Sequence, residues 1–220
     1  MGAFSGATDF FGMPLSQLAR RYRYAEDNIC ILEGDLQKLR EQFSETYENL
    51  CSCTHQADQR SPLKYGQDLV ASWLVEDVFL RVFWAAGLDA SLDGADQGRK
   101  VLSNVKTSSS SDFSVSCNGY SRKLELMNDY TGFWARSHKM HLRDNKYLKM
   151  QREQSLFLAV SMATREFALL DFTEEIPARL IPHHIPYGNK PAYELSLPSS
   201  LLHTATSAAI GQAVKARFHA

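Results

Sequence analysis

The most regular hydrophobic pattern in the chain is a seam near its N-terminus, in which apolar residues recur alternately three and four positions apart. The seam follows Pro14 and is formed by Leu15, Leu18, Tyr22, Ala25, Ile29, Leu32, Leu36, Leu39, Phe43, Thr46 and Leu50. This spacing, kept over about five heptads, is typical of a coiled coil. We therefore expect residues 1–55 to form a helical, coiled-coil-like arm that pairs two chains into a homodimer. The alternative is one long amphipathic helix that folds back on its own domain.

A second helical pattern extends from Tyr65 to Gly87, with a broad apolar face and a glycine where helices commonly end. It follows a polar, turn-rich segment, 51–62, which we expect to be a hinge. Glu76 falls among apolar positions of the helix, near Trp73 and Leu80. Its carboxylate is therefore either turned inward, where it would serve a site, or solvated on the helix surface.

Residues 111–128 alternate between apolar and polar positions on both sides of Asn118-Gly119, which is a strong signal for a tight turn. The pattern predicts a β-hairpin with arms at 112–117 and 123–127. Asp112 opens the first arm, and Glu125 interrupts the apolar positions of the second. A carboxylate inside an apolar strand is costly unless it is compensated, and a divalent metal shared with a second carboxylate would compensate it.

The remaining pattern predicts a mixed order of helices and strands. We expect a loop at 88–98, a strand at Arg99–Val105, a basic helix at Arg143–Gln154, strands at Leu156–Ser161 and Glu166–Phe172, an irregular proline-containing segment at 177–186, an edge strand at Tyr193–Leu197 and a final helix at Ser200–Arg217. The order of helix, strand, hairpin, helix, strand and strand predicts an α/β domain over residues 62–220.

Composition mainly excludes alternatives. The net charge is −1, from 24 basic and 25 acidic residues, so the chain as a whole has no basic excess that would indicate nucleic acid. It has no run of about 18 apolar residues that would span a membrane, and its N-terminus lacks the features of a signal peptide. The four cysteines have no zinc-ligand spacing, and His183-His184 is expected to be a surface turn. We expect a cytoplasmic protein that does not associate with membranes.

Cationic side chains nevertheless concentrate locally, between the hairpin and the end of the basic helix, where aromatic residues are interleaved with them. The residues expected to contact nucleic acid there are Trp134, Arg136, Lys139, Arg143, Lys146 and Lys149. Interleaved cations and aromatic rings suit phosphate contact and base stacking. The alternative is a solvated loop and helix face, with Phe133 and Trp134 capping the core.

The helix with a glutamate, the aspartate at the start of one strand and the glutamate inside the next resemble the PD-(D/E)xK nuclease superfamily. This resemblance covers about Tyr65 to Phe172 and implies the αβββαβ core of restriction endonucleases and archaeal Holliday junction resolvases. It implies that Asp112 and Glu125 bind Mg²⁺, for which Mn²⁺ would substitute, and that Glu76 is a possible third or water-mediated ligand. The position before Asp112 is Ser111, where the family has proline.

The family also has a lysine two residues after the second carboxylate, where this chain has Met127. A thioether neither carries a positive charge nor acts as a base. Lys123 lies two residues before Glu125 and so on the same face of the strand. Lys146 and Lys149, on the following helix, are the other candidates, and we favour Lys146 over Lys123 as the catalytic lysine.

By this resemblance the protein is expected to be a Mg²⁺-dependent endonuclease that hydrolyses DNA, restriction-type and homodimeric. The alternative is a catalytically inactive DNA-binding or assembly protein that keeps the fold and uses the coiled-coil arm. A third reading is a structure-specific resolvase or repair nuclease.

Overall fold

The computed structural model describes residues 62–94, 110–129 and 131–218, together with five exposed helical residues between Gln37 and Glu48. The residues of the predicted coiled-coil seam and the strand expected at 99–105 lie outside the described residues, so the arm and its dimer remain predictions. The chain divides into two compact units. The described residues of one are 62–81, 92–94 and 110 with the five helical positions, and those of the other are 82–91, 111–129 and 131–218.

The described elements follow one another in an order close to the predicted one. They are α1 (Pro62–Ala85), β1 (Asp89–Leu92), β2 (Phe113–Cys117), β3 (Tyr120–Asp129), α2 (Phe133–Ser137), β4 (Lys139–Arg143), α3 (Asp144–Glu153), β5 (Leu156–Ser161), β6 (Glu166–Asp171), β7 (Ala178–His184), β8 (Lys190–Ser196), β9 (His203–Thr204) and α4 (Ser207–Ala216). The predicted α/β class is confirmed, and α1, β1, β2, β3, α3 and β5 follow the αβββαβ order with α2 and β4 inserted. No helix of the described residues combines the length and apolarity needed to cross a membrane.

The predicted hairpin is present as β2 and β3. The two strands are antiparallel, and Cys117 pairs with Tyr120 across a two-residue turn. Asn118 and Gly119 have φ values of 52° and 84°. Positive φ at both central residues is what a type I′ turn requires, and it explains why these two residue types stand here.

The hairpin forms part of a six-stranded sheet with the strand order β1-β2-β3-β5-β6-β9. β3 and β5 are parallel, so the chain must cross over between them, and α3 lies in that crossover. One face of the sheet packs on α3, through Tyr147 and Met150, and on residues of β4 and β8. This crossover places α3 above the face of β3 that carries Glu125.

A second sheet has the order β4-β8-β7 and differs from the sequence expectations. The proline-containing segment was expected to be irregular, but it forms β7. A proline is tolerated there because β7 is an edge strand, and its pairing shifts register between Ile181 and His184, where Pro182 stands. The strand predicted at Tyr193–Leu197 is present as β8. It was expected at an edge, but it is the central strand of this sheet.

Two element boundaries also differ from the prediction. The loop expected at 88–98 contains β1, which follows directly after α1 ends near Gly87 at φ 77°. The last helix begins at Ser207 rather than Ser200, because the side chain of Thr206 caps it by accepting a hydrogen bond from the N–H of Ala209 at 3.1 Å.

An ion pair links the hairpin strand β3 to β6, which lies two strands away in the same sheet. Arg122 of β3 reaches across β5 to Asp171 of β6, with Nη1 at 2.7 Å from Oδ2, and it also donates to the carbonyl of Gln154. Burial raises the pKa of Asp171, but hydrogen bonds from Arg122 and Thr173 outweigh it and lower the pKa to about 2. The folded protein therefore favours the ionised form of Asp171 over the protonated form.

We expect Arg122→Met to lower the free energy of unfolding at pH 7 by about 1–3 kcal/mol, because it leaves a buried carboxylate without its charged partner. Since the folded pKa of Asp171 lies below its unfolded value, this stability is present above pH 4. It is lost as the pH falls through about 2. Urea denaturation of both proteins at pH 7 and pH 3 measures the difference.

The matched control is Arg152→Met, an exposed arginine of α3 whose ion-pair distance to Glu153 is 4.0 Å. It should change stability by less than about 0.5 kcal/mol. Equal destabilisation by the two substitutions would contradict a structural role for the pair between β3 and β6.

Candidate active site

The β2–β3 hairpin brings Asp112 and Glu125 together. The register pairs Phe113 with Leu124, and Asp112 and Glu125 are the next residues beyond this pair, one on each chain segment. They are close enough for the charge of Glu125 to act on Asp112. Asp112 Oδ2 accepts a hydrogen bond from the N–H of Leu126 at 2.7 Å, which orients its carboxylate.

The charge of Glu125 affects the protonation of Asp112. Glu125 is buried, at 7% exposure. Burial and the charge of Glu125 raise the pKa of Asp112 to about 6, against the opposing effects of Lys146, Lys149 and the Leu126 hydrogen bond. A carboxyl group with such a pKa lies in a site that favours either a proton or a cation beside it.

Two lysines of α3 supply positive charge to this pair. Tyr147 and Met150 of α3 pack into the core. Lys146 and Lys149 lie one helical turn apart on α3, and both reach the side chain of Glu125. Lys146 Nζ is 2.6 Å from Glu125 Oε1, and Lys149 Nζ is 3.7 Å from Glu125 Oε2. Lys149 is itself only 8% exposed, so its charge is held at the site.

The electrostatics of Lys146 indicate its protonation state. Burial lowers the pKa of Lys146, but the carboxylates of Glu125 and Asp112 outweigh burial and raise the pKa above its ordinary value. The amine is therefore a cation at neutral pH in this state of the protein. It is suited to stabilising negative charge rather than to accepting a proton.

The other predicted site residues lie in different surroundings. Lys123 is exposed and lines a small depression toward the hairpin turn with Ser114, Ser121 and Glu153. Met127, at the position where the family has lysine, is partly buried and packs against the core. Glu76 is buried on α1, in a different unit from Asp112 and Glu125, so its role as a ligand remains a prediction.

The basic region is divided between core and surface. Trp134 is 3% exposed and belongs to the hydrophobic core, so its ring is not available for stacking and the core-capping alternative describes it. The neighbouring Phe133 is 51% exposed. Arg136, Lys139 and Arg143 are also exposed, as nucleic-acid contact requires.

The expected surface turn at His183-His184 is wrong for His184, which is buried at the end of β7. The sequence carried no signal for this. The burial arises from contacts with the rings of His141, on β4, and of Tyr187.

The donor atoms at the carboxylate pair fit a divalent cation. Glu125 Oε2 is buried and has no hydrogen-bond partner among the described residues. Carboxylate oxygens are the ligands that Mg²⁺ prefers, and this ion is often held by one or two carboxylates with water in its other positions. The described residues contain no group of three or more His, Cys, Asp or Glu side chains that would hold a metal. Among the described residues, the Asp112–Glu125 pair is therefore not part of a larger cluster of such side chains.

No protein-family model matches this chain, and no curated protein matches its sequence. Among solved structures, the chain is similar to a Holliday junction resolvase from the archaeal hyperthermophile Archaeoglobus fulgidus, at 8% sequence identity and a TM-score of 0.33. The alignment covers 60% of this chain and 95% of the resolvase chain. A likeness this distant assigns neither a family nor an activity to the protein.

We expect Asp112→Asn to stabilise the metal-free protein at pH 7.5 by about 1–3 kcal/mol, from a shift of roughly two pKa units. The pKa of folded Asp112, about 6, is above its ordinary value of 3.8, so the wild type loses stability as the pH rises through about 6. The asparagine avoids this loss and still accepts the hydrogen bond from Leu126. Chemical denaturation in EDTA from pH 4 to pH 8 measures the divergence of the two curves.

Asp89→Asn serves as the control, because Asp89 is exposed at the start of β1. Its curve should follow the wild type across the whole range. If Asp112→Asn also follows the wild type, Asp112 does not carry the repulsion inferred for it.

Proposed function

We propose that this protein is a Mg²⁺-dependent endonuclease that hydrolyses phosphodiester bonds of DNA on a restriction-endonuclease-like core. The observation that carries the proposal is the placement of two interacting carboxylates, Asp112 and Glu125, with the ammonium group of Lys146 2.6 Å from Glu125 Oε1. Two acidic oxygens and a fixed cation are what metal-assisted phosphoryl transfer requires.

In this proposal Asp112 and Glu125 hold the divalent cation, Mg²⁺ or Mn²⁺. The bound ion would polarise the phosphate and lower the pKa of a bound water. Asp112 must be ionised to act as a ligand, so its raised pKa makes cation affinity increase with pH up to about 6 and level off above it.

Lys146 takes the place of the lysine that Met127 does not supply. It comes from α3 rather than from β3, and its raised pKa keeps it charged. Its role is to stabilise the negative charge that develops on the phosphoryl oxygens, while Lys149 adds a second positive charge 3.7 Å from Glu125 Oε2. The exposed position of Lys123, toward the hairpin turn, supports Lys146 over Lys123.

The exposed cations Arg136, Lys139 and Arg143 would contact phosphates of the DNA on either side of the site. Lys139 also pairs with Glu194, at 3.6 Å, so its charge is partly compensated. We further propose a homodimer formed through residues 1–55 and a restriction-type cut in each strand, since a two-fold dimer sets two sites against two strands.

A second candidate is a DNA-binding or assembly protein that keeps the fold without catalysis. It is favoured by the fact that Lys146 and Lys149 already neutralise Glu125 without a metal. The two candidates differ in whether Mg²⁺ or Mn²⁺ binds at the site. A structure-specific resolvase or repair nuclease would use the same residues on branched DNA.

Cleavage of supercoiled plasmid and of branched DNA, with Mg²⁺, Mn²⁺ or EDTA, tests the proposal. We expect metal-dependent cleavage that Glu125→Gln slows by at least about 100-fold. Lys146→Met should slow it by about 100-fold through loss of the charge beside the phosphate, and Lys123→Met should slow it less. Lys190→Met, an exposed lysine at the start of β8, is the control with unchanged activity.

Full activity of Glu125→Gln would exclude this site. Stronger loss with Lys123→Met than with Lys146→Met would reassign the catalytic lysine. If no DNA is cut and neither cation raises the melting temperature, the non-catalytic candidate is correct.

A further inference from the structure

A cavity of about 600 Å³ lies beside the carboxylate pair, at the end of β3. Its lining includes Met127, Asn128, Phe133, His141, His184 and Tyr187. Its volume is within the range of small-ligand sites. The proposed chemistry at Asp112 and Glu125 uses none of these residues.

Five of the residues that line the cavity are aromatic. Phe133, His141, His184 and Tyr187 form a continuous series of ring contacts, with centroids 6.1, 4.6 and 4.5 Å apart in that order. The Tyr187 hydroxyl donates to the carbonyl of His141 at 2.7 Å and so fixes one end of the series. Phe133, at the other end, is half exposed, so the cavity opens to solvent.

The cavity lies near the candidate active site. Met127, which lines the cavity, follows Glu125 by two residues on β3, a distance of roughly 7 Å along a strand. Tyr187 interacts electrostatically with Lys146, and the guanidinium of Arg143 lies 5.4 Å from the Tyr187 ring centroid.

We propose that this cavity receives one unstacked base of the nucleic-acid strand whose phosphate lies at Asp112 and Glu125. The proposal rests on the proposed function and specifies its substrate class: DNA with unpaired bases, such as a single strand, a gap or a branch, rather than an intact duplex. A base has two flat faces that stack on aromatic rings. The guanidinium of Arg143, beside the Tyr187 ring of the cavity, matches a phosphate that flanks such a base.

Buried polar atoms of the lining residues also favour a ligand with a hydrogen-bonding edge. Asn128 Oδ1, Asp129 Oδ2, Trp134 Nε1 and His184 Nδ1 have no hydrogen-bond partner among the described residues. Unpaired buried polar groups cost free energy. The edge of a base carries donors and acceptors that would pair with such groups, whereas an aliphatic ligand carries none.

The test is an abasic scan of binding in EDTA, measured by fluorescence anisotropy of a labelled oligonucleotide. The wild type should bind the single strand more tightly than the duplex of the same sequence. Removal of the base at one position should weaken binding by roughly 5- to 100-fold, the range of base–aromatic stacking, and removal elsewhere should have little effect.

Phe133→Ala should weaken binding of the intact strand by a similar factor and abolish the sensitivity to the abasic position, because both changes remove the same contact. Phe133→Tyr should restore both. The control is Tyr120→Ala, a 70% exposed aromatic residue at the hairpin turn that does not line the cavity, and it should keep the wild-type scan. Melting temperatures of all variants exclude unfolding as the cause.

The base site would be overturned if the affinity were the same whichever base is removed. It would also be overturned by equal affinity for duplex and single strand, or by an unchanged affinity of Phe133→Ala. A hydrophobic dye that binds the cavity and is not displaced by saturating oligonucleotide would overturn it too. Because the scan contains no divalent cation, it does not depend on cleavage. A position-specific scan without metal-dependent cleavage would refute the proposed nuclease alone, and cleavage with a flat scan would refute the base site alone.

Discussion

The burial of two like charges on neighbouring strands is the constraint on which the site depends. Pairing of β2 with β3 brings Asp112 near Glu125, and burial together with the charge of Glu125 raises the pKa of Asp112 to about 6. The folded state compensates with Lys146 and Lys149 of α3. A carboxyl group with such a raised pKa marks this place as a candidate functional site.

The fold meets this requirement through the parallel pairing of β3 with β5. Because the two strands are parallel, the chain must pass over the sheet between them, and α3 lies in that connection. The apolar side of α3 anchors it in the core, and two of its lysines reach Glu125 on β3. In the proposed nuclease, the cation would therefore come from α3 rather than from β3.

The inserted α2 and β4 give the site its surroundings. Phe133 comes from α2 and His141 from β4, while His184 and Tyr187 come from β7 and the turn after it. Together they line a cavity next to Lys146, at the end of the strand that holds Glu125. The proposed catalytic site and the proposed base site are thus neighbours, and Lys146 of the first interacts electrostatically with Tyr187 of the second.

Local patterns in the sequence were sufficient for the hairpin, α1, α3, β5 and β6, because turn residues and hydrophobic periodicity act over a few residues. Asn118-Gly119 forms the turn that pairs β2 with β3, so the local pattern predicts that Asp112 and Glu125 come near each other. β7 and the central place of β8 were not predictable in this way, because a proline-containing strand is allowed only where the sheet leaves it at an edge. Which lysine meets Glu125, and the burial of Trp134 and His184, were decided by contacts between elements distant in sequence, which no local pattern records.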